Sequence, residues 1–226
     1  MARIIKKYDE RRIEFLNTAQ ELFFTKGYEQ TSVEAIIKQM KLSKGTFYYY
    51  FKSKEDLLDA LVERLSKKIL EEVKKIVDRE DLDAITKLNR AYAVTRSVKL
   101  ENLELLRVLL KVLYDDKNIL FRFKIYRGSI KILAPEFSKI IKQGIKEKVF
   151  NTPYPDEAAS LIFEVANEFG ERVPKFLFGS EKTLDKAEKE FKVYENAIER
   201  IIGAKEGMVR IVNRNILNYF HEKINH

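Results

Sequence analysis

The residues with the clearest chemical potential lie in segment 43–51, which reads SKGTFYYYF and holds three consecutive tyrosines. Each tyrosine hydroxyl would need a hydrogen-bond partner if it were buried, so three in a row favour an exposed surface over packing alone. Tyrosine hydroxyls can bind phosphate oxygens, tyrosine rings can pack on thymine methyls, and a lysine can contact phosphate or guanine. The segment therefore has the chemistry to recognise a DNA groove.

A helix over residues 44–50 would have distinct inner and outer faces. If Phe47 faces a core, an advance of about 100° per residue returns Phe51 to that side and puts Tyr50 at its edge. The outward arc is then Gly45, Thr46, Tyr48 and Tyr49, with Lys44 in the first turn. A glycine inside a helix costs roughly 1 kcal/mol relative to alanine, so its presence on this arc indicates close approach of another surface.

Capping signals delimit the neighbouring helices. Thr31 and Glu34 form a T-x-x-E pattern, which predicts a capping box at the start of the preceding helix. Ser43 is predicted to cap the helix over 44–50. The segment 53–56, Ser-Lys-Glu-Asp, predicts a second box opening a long helix. The free amides at that start, with the charge of Lys54, predict a phosphate site.

An earlier helix at about residues 9–25 has one apolar face, formed by Phe15, Ala19, Leu22 and Phe23. Gly27 follows it in the position of a C-terminal cap. Residues 1–54 are therefore predicted to form three helices around one small core.

These residues resemble a known DNA-binding module over residues 9–62. The matching positions are Phe23, Gly27, Tyr28, Thr31, Ile36, Ser43, Lys44, Gly45, Phe47, Tyr48, Tyr50, Phe51, Lys54, Leu57 and Leu58. In this order and spacing they are similar to the DNA-binding domain of the TetR family of bacterial transcriptional regulators. A smaller similarity to the family's C-terminal half occurs at 143–150. The predicted DNA contacts are Thr31, Ser32, Ser43, Lys44, Gly45, Thr46, Tyr48, Tyr49, Tyr50 and Lys54.

The distribution of charge agrees with a basic DNA-binding domain at residues 1–54, followed by a larger part in which positive and negative charges nearly cancel. The net charge is +8, and residues 1–54 hold 11 Lys/Arg against 6 Asp/Glu, whereas the rest holds 32 against 29. A solvated basic face is the alternative to a nucleic-acid footprint. The chain has no cysteine, which excludes disulfides, and no apolar run approaches membrane-spanning length. With no signal-peptide pattern, a cytoplasmic location is expected.

The rest of the chain is predicted to be helical, because four prolines and eight glycines punctuate 226 residues. The expected class is all-α, with a helix-turn-helix domain (1–54) joined by a long helix to a larger ligand-binding and dimerisation domain (55–226). The predicted helices lie near 54–78, 82–98, 101–114, 117–148, 155–178, 183–202 and 206–223. Pro135 is predicted to kink or interrupt the fourth of these.

Two C-terminal helices carry wide apolar stripes. The stripe residues are Ala158, Ile162, Ala166 and Phe169 on the first, and Phe191, Tyr194, Ile198 and Ile201 on the second. Either the stripes form intramolecular core or they form a dimer interface. The resemblance implies the dimer, with two helices from each subunit forming a four-helix bundle, and a two-fold dimer would read a pseudo-palindromic operator.

The resemblance also implies a pocket for a small, largely apolar ligand between about residues 85 and 170. Candidate wall residues are Tyr92, Arg96, Tyr114, Phe121, Phe123, Tyr126, Phe163 and Asn167. Ordinary core packing of the aromatic residues is the alternative. A cavity of several hundred cubic ångström would indicate a ligand, and a filled core would not.

Three functions are compatible with these features. The first is a repressor that a small ligand releases from its operator, and the second is a DNA-bound architectural or partner-recruiting protein without an inducer. The third, a helical enzyme, has little support, because the histidines are His221 and His226 and no phosphate-binding glycine loop is present. No catalytic residue, metal site or cofactor is predicted.

Overall fold

The computed structural model describes residues 8–113, 115, 118–170 and 182–225, and its regular secondary structure over that part of the chain is helix without any strand. Its helices are α1 (Tyr8–Lys26), α2 (Val33–Met40), α3 (Lys44–Tyr50), α4 (Lys54–Val77), α5 (Ala84–Glu101), α6 (Leu103–Leu113), α7 (Ile119–Lys146), α8 (Pro155–Gly170), α9 (Lys182–Ile202) and α10 (Arg214–Asn225). The predicted all-α class and the order of the helices are confirmed.

The first three helices enclose a small aromatic core. Phe15 of α1 meets Phe47 and Phe51 edge-on, with ring centroids 5.7 and 5.9 Å apart. Ile36 of α2 is fully buried in the same cluster. Gly27 ends α1 with a φ of 89°, the left-handed conformation expected of a helix C-terminal glycine. Helices α1, α2 and α3 therefore share one core.

Helix α4 extends the core of α1–α3 into the larger body. Leu57, Leu58 and Leu61 near its start and Val73 near its end are all fully buried in one continuous cluster. Two side-chain contacts fasten α1 to its first half, because Arg64 donates to Asn17 Oδ1 (2.8 Å) and to Gln20 Oε1 (2.7 Å).

Helix α7 contains Pro135 without a break in helical structure. Pro135 therefore does not interrupt the helix, and the alternative outcome, a kink, stays a prediction. Proline costs a helix a hydrogen bond, but Ala134, Phe137 and Ile141 around it are buried, and tertiary packing outweighs that loss. Near the end of α7, the Phe150 ring lies so close to Gly144 that a Cβ there would meet it at 1.9 Å.

A non-helical strap over residues 204–213 connects α9 to α10, whereas the sequence predicted a helix from 206. Side chains replace the missing helical hydrogen bonds. Asn89 of α5 donates to the Met208 carbonyl (2.9 Å) and accepts from Arg210 N (2.8 Å). From α9, Glu199 accepts from Val209 N (2.9 Å). Because these partners lie far away in sequence, local periodicity could not reveal them.

Candidate functional site

The inner face of α3 is held by aromatic packing, and its outer face projects into solvent. Phe47 is fully buried and Phe51 is 2% exposed, whereas Tyr48 and Tyr49 are 51% and 71% exposed. Gly45 is exposed, and a Cβ built on it would meet only Ser43 Oγ, at 4.0 Å. The inner and outer faces predicted for this helix are therefore observed.

Tyr8 of α1 braces the tyrosines of α3, a contact that the sequence reasoning missed. Its ring stacks on Tyr50 with centroids 4.8 Å apart and meets Tyr49 edge-on at 5.8 Å. Tyr50 is half-buried, and its ring also lies 5.5 Å from Phe15. Tyr8 precedes Phe15 by two helical turns, and this spacing in the sequence already indicated that both residues lie on the same face of α1.

Ser43 and Thr46 form the N-terminal cap of α3. Ser43 Oγ accepts from the Thr46 amide (3.2 Å) and shares a hydrogen bond with Thr46 Oγ1 (2.8 Å). The capping role predicted for Ser43 is confirmed. In the free protein both hydroxyls are therefore engaged in this cap.

The predicted capping box at Thr31 and Glu34 is wrong, because Ser32 caps α2 instead. Ser32 Oγ accepts from Ala35 N at 3.1 Å. Thr31 is fully buried, and its hydroxyl reaches the carbonyls of Gly27 (2.8 Å) and Leu22 (3.2 Å). We therefore remove Thr31 from the candidate DNA contacts and retain Ser32, which is exposed.

Replacing Thr31 with valine is expected to lower the free energy of unfolding by about 1–3 kcal/mol. Valine keeps the shape of threonine but leaves buried carbonyl groups without their hydroxyl donor. Urea unfolding of the full chain measures the loss. Thr31→Ser, which retains the hydroxyl, is the matched control, and an equal loss in both variants would contradict this role.

Lys44 in the first turn of α3 is paired with Glu34 of α2. Its Nζ lies 3.0 Å from Glu34 Oε1, and both side chains are more than half exposed. The hydrogen bond and the opposite charge raise the pKa of Lys44 and lower that of Glu34. In the free protein Lys44 is therefore directed toward the Glu34 carboxylate, and a DNA phosphate or base would have to compete with that carboxylate for Lys44.

Glu34→Gln is expected to strengthen DNA binding by roughly two- to fivefold at low salt, because an exposed pair of this kind is weak and its loss frees Lys44. Titration of a DNA duplex at two salt concentrations measures the change. Glu29→Gln removes an exposed charge from the same domain without touching Lys44. An equal gain in that control would attribute the effect to net charge alone.

Lys54 does not present a free ammonium group at the start of α4. Its Nζ donates to the Tyr28 carbonyl (2.9 Å) and lies 4.2 Å from the centroid of the Tyr28 ring. The Asp56 carboxylate also occupies this helix start, accepting from Lys52 N at 2.9 Å. Ser53 caps the helix as predicted. A negative charge already fills the predicted phosphate site, so we leave Lys54 out of the proposed interface.

Comparison with known proteins places this geometry in a family. The profile described as "Bacterial regulatory proteins, tetR family" matches residues 15–61, and "Tetracyclin repressor-like, C-terminal domain" matches residues 106–186. Together they span more than half of the chain. The chain belongs to the TetR family. It is accordingly a DNA-binding transcriptional regulator and not an enzyme.

Curated relatives of this TetR-family chain match short stretches of it. An uncharacterised HTH-type transcriptional regulator of Bacillus subtilis, YuxN, is 58% identical over 43 residues, which are 19% of this chain and 15% of the relative. EthR of Mycolicibacterium smegmatis is 42% identical over 60 residues, 26% of this chain and 28% of EthR. The chain thus spans less than a third of the length of these curated relatives.

A solved structure shares the fold over most of the chain. A TetR-family regulator from Syntrophomonas wolfei matches with a TM-score of 0.64 and 23% identity, covering 85% of this chain and 96% of that one. At this identity the likeness establishes the fold alone. No helix among the described residues is long and apolar enough to cross a membrane.

The apolar stripes predicted for dimerisation pack inside one protomer. Ala158, Ile162, Tyr194 and Ile198 are 0–6% exposed. The half-buried Phe169 stacks on Tyr194 at 5.1 Å and meets Phe191 at 4.6 Å. Ala166 and Ile201 are also half-buried against this core. The intramolecular alternative therefore holds for Ala158, Ile162, Tyr194 and Ile198, whereas the half-buried stripe residues keep part of their surface exposed.

The predicted ligand wall is only partly assembled. Tyr92 and Phe163 both meet the Phe137 ring edge-on, with ring centroids 5.4 and 5.0 Å from it. Tyr126 joins them by donating its hydroxyl to the Phe163 carbonyl (2.7 Å). Phe123 is 54% exposed and does not belong to this wall.

The remaining predicted wall residues have different environments. Arg96 donates to the Ile211 carbonyl and so holds the strap. Phe121 is half-buried against the main core, and Asn167 lies on α8 one turn after Phe163. Tyr114 lies outside the described residues.

An open cleft of about 270 Å³ lies elsewhere, between α4 and α7. Its charged lining includes Arg12, Asp56, Asp59, Glu63 and Lys124. Lys124 of α7 pairs with Asp59 of α4, and both side chains line the cleft. This cleft therefore differs from the predicted pocket in both place and polarity.

Proposed function

We propose that this protein is a dimeric repressor that binds a pseudo-palindromic operator through α3 and leaves it when a small ligand binds. The observation that carries the proposal is the outer arc of α3, where exposed tyrosines and an unobstructed glycine stand on a fully buried aromatic base. The proposed contacts are Ser32, Ser43, Lys44, Gly45, Thr46, Tyr48 and Tyr49, with Tyr50 and Tyr8 as braces.

We propose that the two parts of the chain have separate roles. Residues 1–54 bind DNA, and residues 55–226 supply the dimer interface and the ligand site. A protein that regulates chromosomal genes meets its operator in the cytoplasm, so we infer that location.

Dimerisation is proposed through the exposed faces of α8 and α9. On α8, Leu161 is 51% exposed and lies among Glu157, Glu164 and Glu168, which are also exposed. On α9, Val193 is 57% exposed in a face that includes the exposed basic residues Lys186, Lys189 and Arg200. An acidic face with an apolar centre and a basic face with an apolar centre are complementary across a two-fold axis.

Ligand release is supported by a structural neighbour and by the polar groups among the wall aromatics. RolR was solved in complex with resorcinol, and that structure matches with a TM-score of 0.60 and 16% identity, covering 92% of this chain and 93% of RolR. The ring contacts of Phe137 with Tyr92 and Phe163 instead favour the second candidate, an architectural DNA-binding protein with a filled core. A ligand must therefore separate these rings or enter beside them.

Selection of duplexes from a random pool by the purified chain tests operator recognition, and a two-fold symmetric site is the expected product. A reporter gene downstream of that site then separates repression, in which deleting the regulator raises expression, from activation or a purely architectural role. For a candidate inducer, linkage requires operator DNA to weaken ligand binding by the same factor as the ligand weakens DNA binding. Equal ligand affinity with and without operator would support the architectural candidate.

A further inference from the structure

Lys41 ends α2 in a backbone conformation that lysine rarely adopts. Its φ is 54° and its ψ is 43°, in the left-handed region that favours glycine, and its amide donates to the carbonyls of Ile37 and Lys38. A lysine is costly there, because its Cβ comes too close to the following carbonyl oxygen. The side chain is exposed at the turn that leads into α3. A strained residue beside a candidate binding surface calls for a reason in its side chain.

The four lysines nearest to α3 in the sequence differ in what their ammonium groups contact. Lys44 donates to Glu34 Oε1 at 3.0 Å, and Lys54 donates to a backbone carbonyl at 2.9 Å. Lys41 and Lys52 are exposed, and neither has a side-chain hydrogen bond or an ion pair among the described residues. Two unpaired positive charges therefore flank α3 in the free protein.

These two lysines lie at opposite ends of α3. Lys41 precedes the first residue of the helix by three positions, and Lys52 follows the last by two. Phe51 is buried in an extended conformation, with φ −141° and ψ 134°, so the next side chain points away from the core. Helix α3 has seven residues and is about 10 Å long, close to the ~12 Å width of the DNA major groove. Charges at its two ends therefore lie near the phosphates that border a groove occupied by α3.

We propose that Lys41 and Lys52 bind DNA phosphates at the two ends of α3 and so fix the position of this helix in the groove. Phosphate contacts carry no base information, so these lysines set the depth and register of α3 while its outward arc reads the bases. The inference rests on the proposed DNA interface through α3. It adds the backbone contacts that the engaged Lys54 does not supply.

Lys148 provides an internal comparison for the backbone of Lys41. It lies two residues after α7 and has a φ of 60°, and among the described residues these two lysines are the non-glycine positions with a positive φ. A cation near a helix C-terminus is favoured by the helix dipole, and this local effect is available to both. Both side chains are also exposed. What distinguishes Lys41 is its place beside α3, because Lys148 lies in the body, outside the proposed interface.

Lys41→Gly separates the role of the charge from that of the backbone. Glycine adopts the left-handed conformation without strain, so the thermal unfolding midpoint should stay level or rise by about 1–3 °C. The affinity of the dimer for DNA should nevertheless fall by about tenfold or more at about 0.1 M salt, because one phosphate contact is lost from each protomer. Lys148→Gly makes the same chemical change in the body and should keep wild-type DNA affinity.

The salt dependence of binding counts the phosphate contacts directly. The probe is a labelled duplex of mixed sequence, titrated by fluorescence anisotropy at several salt concentrations. Lys41→Gly and Lys52→Gln should each reduce the slope of log affinity against log salt by about one for each protomer bound, whereas Lys41→Arg should keep the slope. An unchanged slope in Lys41→Gly or in Lys52→Gln overturns the proposal, and so does an equal fall in Lys148→Gly.

The choice of duplex separates this inference from the proposed function. If both lysine variants lose slope on the mixed-sequence duplex but the wild-type chain selects no site from a random pool, the phosphate contacts stand and operator recognition fails. If a two-fold symmetric site is selected and neither variant changes the slope, operator recognition stands and the assignment of Lys41 and Lys52 fails.

Discussion

Gly45→Leu is expected to reduce operator affinity by about a thousandfold, toward the level of non-specific DNA binding. Gly45 lies on the outward arc of α3 between Lys44 and Thr46, and it is the position where α3 can come closest to a groove. A leucine side chain there would hold the helix away from the base edges. Phosphate contacts made by flanking residues would remain, so salt-dependent, non-specific binding should persist.

The protein itself should tolerate this substitution. A Cβ at Gly45 meets only Ser43 Oγ at 4.0 Å, and leucine favours a helix over glycine by up to roughly 1 kcal/mol. The matched control is Gly128→Leu, because Gly128 lies in α7, outside the proposed interface, and also has no atom within 4 Å of an added Cβ. Fluorescence anisotropy of a labelled operator measures both variants. Wild-type affinity in Gly45→Leu would show that another surface reads the DNA.

Leu161→Glu is expected to split the dimer and to weaken operator binding by about a hundredfold or more, since each protomer would then read one half-site alone. The new carboxylate would stand beside Glu157 and Glu164 at the centre of the proposed interface, where an unpaired charge is expensive to desolvate. Sedimentation velocity at micromolar concentration measures the oligomeric state, and DNA titration measures the affinity.

Two controls separate dimer loss from unfolding. Leu120→Glu introduces the same charge at a residue of α7 that is 83% exposed and lies outside the proposed interface, so it should leave the dimer intact. Ile162→Glu buries the charge at a fully buried position of the protomer core and should unfold the chain. A dimeric Leu161→Glu variant, or a wild-type monomer, would contradict the proposed interface.

The sequence predicted most of the fold because helical periodicity and capping are local signals. The two faces of α3 followed from the positions of Phe47 and Phe51 alone. The errors occurred where a distant partner decided the outcome. The Thr31 hydroxyl donates to carbonyls of the preceding helix and turn. The Lys54 ammonium group donates to the carbonyl of Tyr28, which is 26 residues away in the chain.

The candidate sites in the body were harder to predict for the same reason. An apolar stripe shows that a helix face is buried but not what buries it, so Ile162 and Ile198 fitted a dimer interface as well as they fit the protomer core. Asn167 could be picked out as a polar interruption of an apolar run. Only the three-dimensional arrangement showed that its side-chain oxygen is buried without a partner among the described residues.

The fastening of α1 to α4 gives the proposed switch a simple geometry. Arg64 ties the two helices together, and Lys54 holds Tyr28 to the start of α4, so the DNA-binding domain turns with that helix. Helix α4 has 24 residues and is therefore about 36 Å long. A tilt of about 5° around its far end displaces its start by about 3 Å, close to the ~3.4 Å between successive base pairs. Under the proposed switch, a rotation of a few degrees in the body would therefore shift each recognition helix by about one base-pair step.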